Sequence, residues 1–223
     1  TTTGSFLTAW GKAAARAGLE ATTTTVCCYP TEGGFIEALA RLTDAAGRSA
    51  ARHGRPLVLF SAHGLPQAIV DRGDPYGEQV GETVAAVVAR LPAGIFDHRI
   101  CYQSRVGPTE WLRPYTDDEI VRAGAAGVPV VVVPVAFVCE HSETLVELDM
   151  DYRRLAEKSG VPAYLRVAAV GTGKEFIGGL AQLVRHAAAG APVVCGGDTV
   201  PGFRRCPAEF GGCPLVRPGD GGG

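Results

Sequence analysis

Methionine is nearly absent from this sequence: the 223 residues hold one, and the chain opens on Thr1. The opening Thr1-Thr2-Thr3-Gly4-Ser5 has neither the basic nor the apolar segment of a secretory signal, so the expectation is a cytoplasmic chain that begins in mid-structure. Long hydrophobic runs are missing too. The longest, Val128 to Val138, carries two prolines and falls well short of the roughly 20 unbroken apolar residues that cross a bilayer. Nor does either charge dominate. Lys and Arg total 21 against 23 Asp and Glu, a net charge of -2, which leaves no global field for nucleic acid or anionic lipid. Cysteines number seven, and at this chain length and in this compartment they argue against a disulfide framework. There is no His-Glu-x-x-His zinc helix, no Gly-x-Ser-x-Gly elbow and no phosphate-binding loop, since Gly171-Thr172-Gly173-Lys174 lacks the spacing.

What is present is a βα rhythm in a sequence that is 46% hydrophobic, enough for a substantial core. Helices are predicted over Ser5 to Gly18, Phe35 to His53, Gly77 to Leu91, Asp117 to Ala126, His141 to Glu157 and Glu175 to Ala189. Between them, Val26 to Tyr29, Leu57 to Phe60, His98 to Tyr102, Val130 to Phe137 and Tyr164 to Val167 read as strands. Leu57 to Phe60 and Val130 to Phe137 lack polar alternation, as strands buried on both faces of a parallel sheet do. The fold class is therefore α/β, a mostly parallel sheet with helices on both faces. After Gly190 the Gly- and Pro-rich sequence is expected to be irregular.

Ligands of open α/β sheets bind beyond the carboxyl ends of the strands. One strand here delivers His63 and another delivers Glu140, His141 and Glu143. Histidines and carboxylates on neighbouring strand ends point to a site rather than to surface decoration. Glu143, Glu147 and Asp151 recur every four residues, so one helix face becomes an acidic stripe that starts at that cleft. Like charges at this spacing repel by a few tenths of a kcal/mol. A cation or proton path is one reason to keep them together, and a solvated helix face is the plainer one.

Four blocks carry a resemblance. Leu59-Phe60-Ser61-Ala62-His63-Gly64-Leu65-Pro66 with Gly73-Asp74-Pro75-Tyr76, Tyr102-Gln103-Ser104-Arg105-Val106-Gly107-Pro108 with Trp111-Leu112, Pro134-Val135-Ala136-Phe137, and Glu140 to Asp149 resemble ferrochelatases in order and spacing. The similarity runs from the opening residues to about Ala187 and implies a chelatase-like, Rossmann-type fold. It further implies that 1–54 is the remnant of an N-terminal lobe and its crossover, 55–174 the lobe with the active site, 175–190 a C-terminal helix, and 191–223 a Gly/Pro/Cys-rich tail. The implied reaction is insertion of ferrous iron into protoporphyrin IX, with both as substrates. A coproporphyrin or cobalt chelatase is the neighbouring alternative, and a non-catalytic tetrapyrrole or metal carrier the alternative of another class.

The resemblance also implies roles. His63 matches a histidine held to take a pyrrole proton or bind the metal, and Glu143 a carboxylate facing it across the porphyrin. Glu147 and Asp151 fall on an acidic line to the site, which with His63 and Glu143 makes up the expected metal set. His141, Trp111, Phe137 and Ser61 are expected behind or along the cleft. Some members bind a two-iron, two-sulfur cluster partly through C-terminal cysteines, and Cys195, Cys206 and Cys213 lie where such ligands would lie, three where four are usual. Family members work in the cytoplasm, sometimes at the membrane surface. Arg204, Arg205 and Arg217 are too few to decide such contact.

Overall fold

In the computed structural model the described residues are 2–189 and 193–195. Four parallel strands form the main sheet: β2 (Leu57–His63), β3 (Asp97–Gln103), β4 (Val130–Pro134) and β5 (Tyr164–Arg166), in the order β3-β2-β4-β5. A second, two-stranded sheet pairs β1 (Thr25–Cys28) with β6 (Val193–Cys195), also in parallel. The segment expected to be irregular after Gly190 thus contains a strand, built where Val193 and Val194 meet β1. Cys206 and Cys213 lie outside the described residues, and Cys195 is described only as the last backbone position of β6.

Because side chains alternate across a strand, the central strands split two cores. On one face Val58, Phe60 and Ala62 of β2 and Val131 and Val133 of β4 pack with α2 (Gly33–Ala50), α4 (Tyr76–Val88) and α7 (Lys174–Ala188). A one-turn helix, α3 (Gln67–Val70), precedes α4 and carries no sequence periodicity that would announce it. On the other face Leu59, Val130 and Val132 pack with α5 (Thr116–Ala125), a π-helix (Glu143–Asp151) and α6 (Tyr152–Lys158). Phe35, Ile36 and Leu39 of α2 are buried in the first of these cores, so that core runs across position 54. The remaining helix, α1 (Thr2–Arg16), leads into β1. Among the described residues no helix is long and apolar enough to cross a membrane.

Within the helix predicted over His141 to Glu157, the nine residues Glu143–Asp151 are wound more loosely than an α-helix, with i to i+5 bonds. Thr144 and Leu148 of this stretch, and Tyr152 and Ala156 of α6, face the core at a spacing of four. Glu143, Glu147 and Asp151 inherit the same alignment one residue earlier.

Strand β4 ends at Pro134 rather than Phe137, because the chain turns as Phe137 N–H donates back to Pro134 O. From β2 the chain leaves through α4 on one face of the sheet. From β4 it leaves through the π-helix on the other. The carboxyl ends of these adjacent strands therefore bound the topological switch point, where a crevice forms.

Helices α2 and α7 meet at glycine. The Glu32 carboxylate caps α2 by accepting from Gly34 N–H at 2.9 Å and Phe35 N–H at 2.7 Å, and it rests against Gly179. A Cβ at Gly34 would strike the Glu175 backbone carbonyl, while one at Gly33 would meet open space. Gly34→Ala should therefore destabilise by about 1–3 kcal/mol, and Gly33→Ala should be neutral or slightly stabilising, as read by thermal unfolding. Equal effects of the two would contradict this packing.

Candidate active site

His63 closes β2, and two bonds fix it there. Tyr76 donates its phenol to His63 O at 2.9 Å, and His63 Nδ1 lies 2.7 Å from Gly64 O. Burial raises the Tyr76 pKa well above the usual phenol range, so this donor stays protonated. A carbonyl can only accept, so Nδ1 carries the hydrogen and Nε2 presents its lone pair. Gly64 must be glycine for closeness: a Cβ there would lie 2.8 Å from Gln103 O and 3.1 Å from the Trp111 ring. Trp111 covers this corner and donates to Val106 O at 3.2 Å.

Glu143 begins the π-helix, and its Oε1 stands 3.8 Å from His63 Nε2. Its other oxygen is in direct contact with His141 Nδ1. Phe137 lies beside both imidazoles, its ring 6.4 Å from that of His63 and 6.3 Å from that of His141. His63 and Glu143 thus face each other directly at the strand exits.

The acidic stripe continues below. Glu147 accepts from Ser104 N–H at 2.8 Å, Tyr152 OH at 2.9 Å, Gln103 Nε2 at 3.3 Å and the Ser104 hydroxyl. These bonds tie the π-helix to the exit of β3. Ser104 holds a positive φ of 63°, a conformation costing a non-glycine residue on the order of 1–3 kcal/mol, offset here by its two bonds to Glu147. Burial and then Glu147 push the Tyr152 phenol above its ordinary range, so it remains a donor. Asp151 sits farther along the cleft, 3.4 Å from Arg154. His63, Ser104, Glu143, Glu147, Asp151 and Tyr152 all line one cavity of about 550 Å³. Among the described residues, no three His, Cys, Asp or Glu side chains converge on a metal-holding position.

Ser61 lies beneath the cleft, fully buried, within 2.8 Å of both Gln103 Oε1 and Thr116 Oγ1. Gln103, also buried, donates from Nε2 to Glu143 O at 3.1 Å and so holds the backbone of the site carboxylate. Sequence reasoning gave Gln103, Ser104 and Tyr152 no role; Gln103 and Ser104 act through contacts between distant segments, and Tyr152 through a bond to Glu147 five residues before it. A second, apolar hollow of about 190 Å³ lies on the α4 side, lined among others by Tyr29, Tyr76, Val135, Ala136 and Val138.

Glu140 turns away from the cleft. Burial alone would raise its carboxyl, but bonds from Thr144, Arg166 and the Ala169 N–H outweigh this and hold it below the ordinary range. A depressed carboxyl stabilises above its unfolded pKa, about 4.3, and the contribution is lost as pH falls through the folded value. Glu140→Gln should thus be less stable than the parent at pH 7, with the gap closing below pH about 4 in urea midpoints. A gap independent of pH would contradict the assignment.

A family model described as Ferrochelatase matches residues 1–188. Among curated relatives, a ferrochelatase from Caulobacter vibrioides (strain NA1000 / CB15N) is 50% identical over 214 residues, covering 96% of this chain and 60% of that protein. One from Phenylobacterium zucineum (strain HLK1) is 50% identical over 213 residues, with 96% and 60% covered. One from Wolbachia pipientis wMel is 46% identical over 183 residues, with 82% and 57% covered. The chain spans about 60% of the length of the first of these relatives.

Proposed function

The chain belongs to the ferrochelatase family, and from that premise we propose that the protein carrying it inserts ferrous iron into protoporphyrin IX to form protohaem, acting in the cytoplasm. Residues 55–174 supply the chemistry, with 175–190 as a closing helix. One observation carries the reading: His63 Nε2 and Glu143 Oε1, 3.8 Å apart, converge at the switch point of the sheet.

Metallation removes two pyrrole protons while an iron ion sheds water. A flat ring hides its nitrogen lone pairs, so binding energy must be spent on distorting it. His63 holds the tautomer that receives a proton on its cleft-facing nitrogen, and an imidazole both accepts and releases protons near pH 7. Once protonated, it gains Glu143 at ion-pair distance. His141 meanwhile engages the second oxygen of Glu143 and fixes its orientation. The same two lone pairs, one imidazole and one carboxylate, suit ferrous iron as a transient passenger. The line from Glu147 to Asp151 offers protons or cations a route to solvent. The apolar hollow beside Val135 and Val138, on the opposite side of the strand exits, offers a surface for a large flat ligand.

Anaerobic incubation of the full-length protein with protoporphyrin and ferrous iron should collapse the four-band visible spectrum of the free base. A Soret shift without that collapse would identify a carrier instead. His63→Ala is expected to lower the rate by about 10²–10⁴-fold, and activity within about threefold of the parent would contradict the assignment. Glu143→Gln should be severely impaired while porphyrin binding is largely retained. Loss of binding alone would argue against a chemical role.

A further inference from the structure

Arg166 ends β5 outside the cleft, and metal insertion as derived above asks nothing of it. Its side chain is nevertheless only 10% exposed. The guanidinium fork reaches two carboxylates at once: Nε and Nη2 meet Asp149 Oδ2 at 2.8 and 2.7 Å, and Nη1 meets the two Glu140 oxygens at 2.9 and 3.0 Å. Glu140 and Asp149 bracket the segment that carries His141 and Glu143.

The grip continues into the backbone of that segment. Thr144 Oγ1 donates to Glu140 Oε2 at 2.6 Å and accepts from His141 N–H at 2.8 Å. Ala169 N–H donates to Glu140 Oε1 at 3.0 Å, so β5 and the loop after it both hold the same carboxylate. At the far end, Asp149 receives Arg153 Nη2 at 3.3 Å as well. A plain stabilising ion triad is the simpler reading. A surface pair would serve that purpose, however, and burying the Arg166 guanidinium is costly unless geometry is gained. What this triad fixes is the height and register of the first turns of the π-helix against β5.

We infer that Arg166 is a positioning residue for the site, holding His141 and Glu143 in place through Glu140 and Asp149. The inference rests on the reading of His63 and Glu143 as the reacting pair. It requires arginine, because a lysine ammonium cannot span both carboxylates with a planar fork.

The test uses Arg166→Met and Arg166→Lys in the full-length protein, with two readouts. Hydrogen exchange followed by mass spectrometry should speed up by about tenfold or more over residues 141–149 in Arg166→Met, with β2 and β4 unchanged and Arg166→Lys intermediate. In steady-state metallation, kcat should fall about 10- to 100-fold in Arg166→Met while the porphyrin KM stays within about threefold, and Arg166→Lys should recover part of the loss. Exchange that rises evenly along the chain, or does not rise over 141–149, overturns the inference, as does an unchanged kcat. If the parent protein fails to metallate porphyrin, the proposed function falls by itself and the exchange pattern still decides the clamp. Should Arg166→Met not fold, Arg166→Lys and Glu140→Gln carry the same exchange test.

Discussion

Two acceptor atoms aimed at each other set the terms for the rest of this protein. His63 Nε2 and Glu143 Oε1 stand 3.8 Å apart, and the Gly64 carbonyl keeps the histidine hydrogen on the opposite nitrogen. Such a pair is stabilised by a proton or a metal cation, and holding it ready for one requires rigid support from several segments. The support comes from α4 through Tyr76, from the exit of β3 through Gln103 and Ser104, and from β5 through Arg166. The strand ends involved lie at the same edge of the sheet, where parallel topology leaves a crevice.

The acidic segment shows how charge of one sign is managed at close quarters. Glu140, Glu143, Glu147, Asp149 and Asp151 would repel one another if left to water. Each is instead given separate company. Glu140 and Asp149 share Arg166, Glu143 meets two histidines, Glu147 takes neutral donors, and Asp151 pairs with Arg154 near solvent. Of the five, Glu143 is the one whose oxygens meet histidines. The differentiation is chemical, since the five side chains carry the same functional group.

Much of the architecture was legible because it follows from local periodicity. Apolar runs at Leu57–Phe60 and Val130–Phe137 announced central parallel strands, the second three residues too long, and the helical spacing of Phe35, Ile36 and Leu39 announced a packed helix. The position of His63 and Glu143 at strand tips was legible for the same reason, since a strand end and the residues beyond it can be counted. The separation between the two was not, because it depends on how β2 and β4 sit side by side. Nor was the role of Glu147, which looks like a free carboxylate until Gln103 and Ser104 arrive from elsewhere in the chain. The π winding of Glu143–Asp151 was not legible either, because inward residues four apart share a face of an ordinary α-helix as well.

The most direct test of this account is the tautomer of His63, read from the nitrogen-15 chemical shifts of its imidazole in the neutral form. The account predicts a protonated Nδ1 and a bare, pyridine-like Nε2, with the shift change on acidification arising at Nε2. A hydrogen found on Nε2 in the neutral ring would contradict it, because the nitrogen facing Glu143 would then have no lone pair to offer a proton or an iron ion.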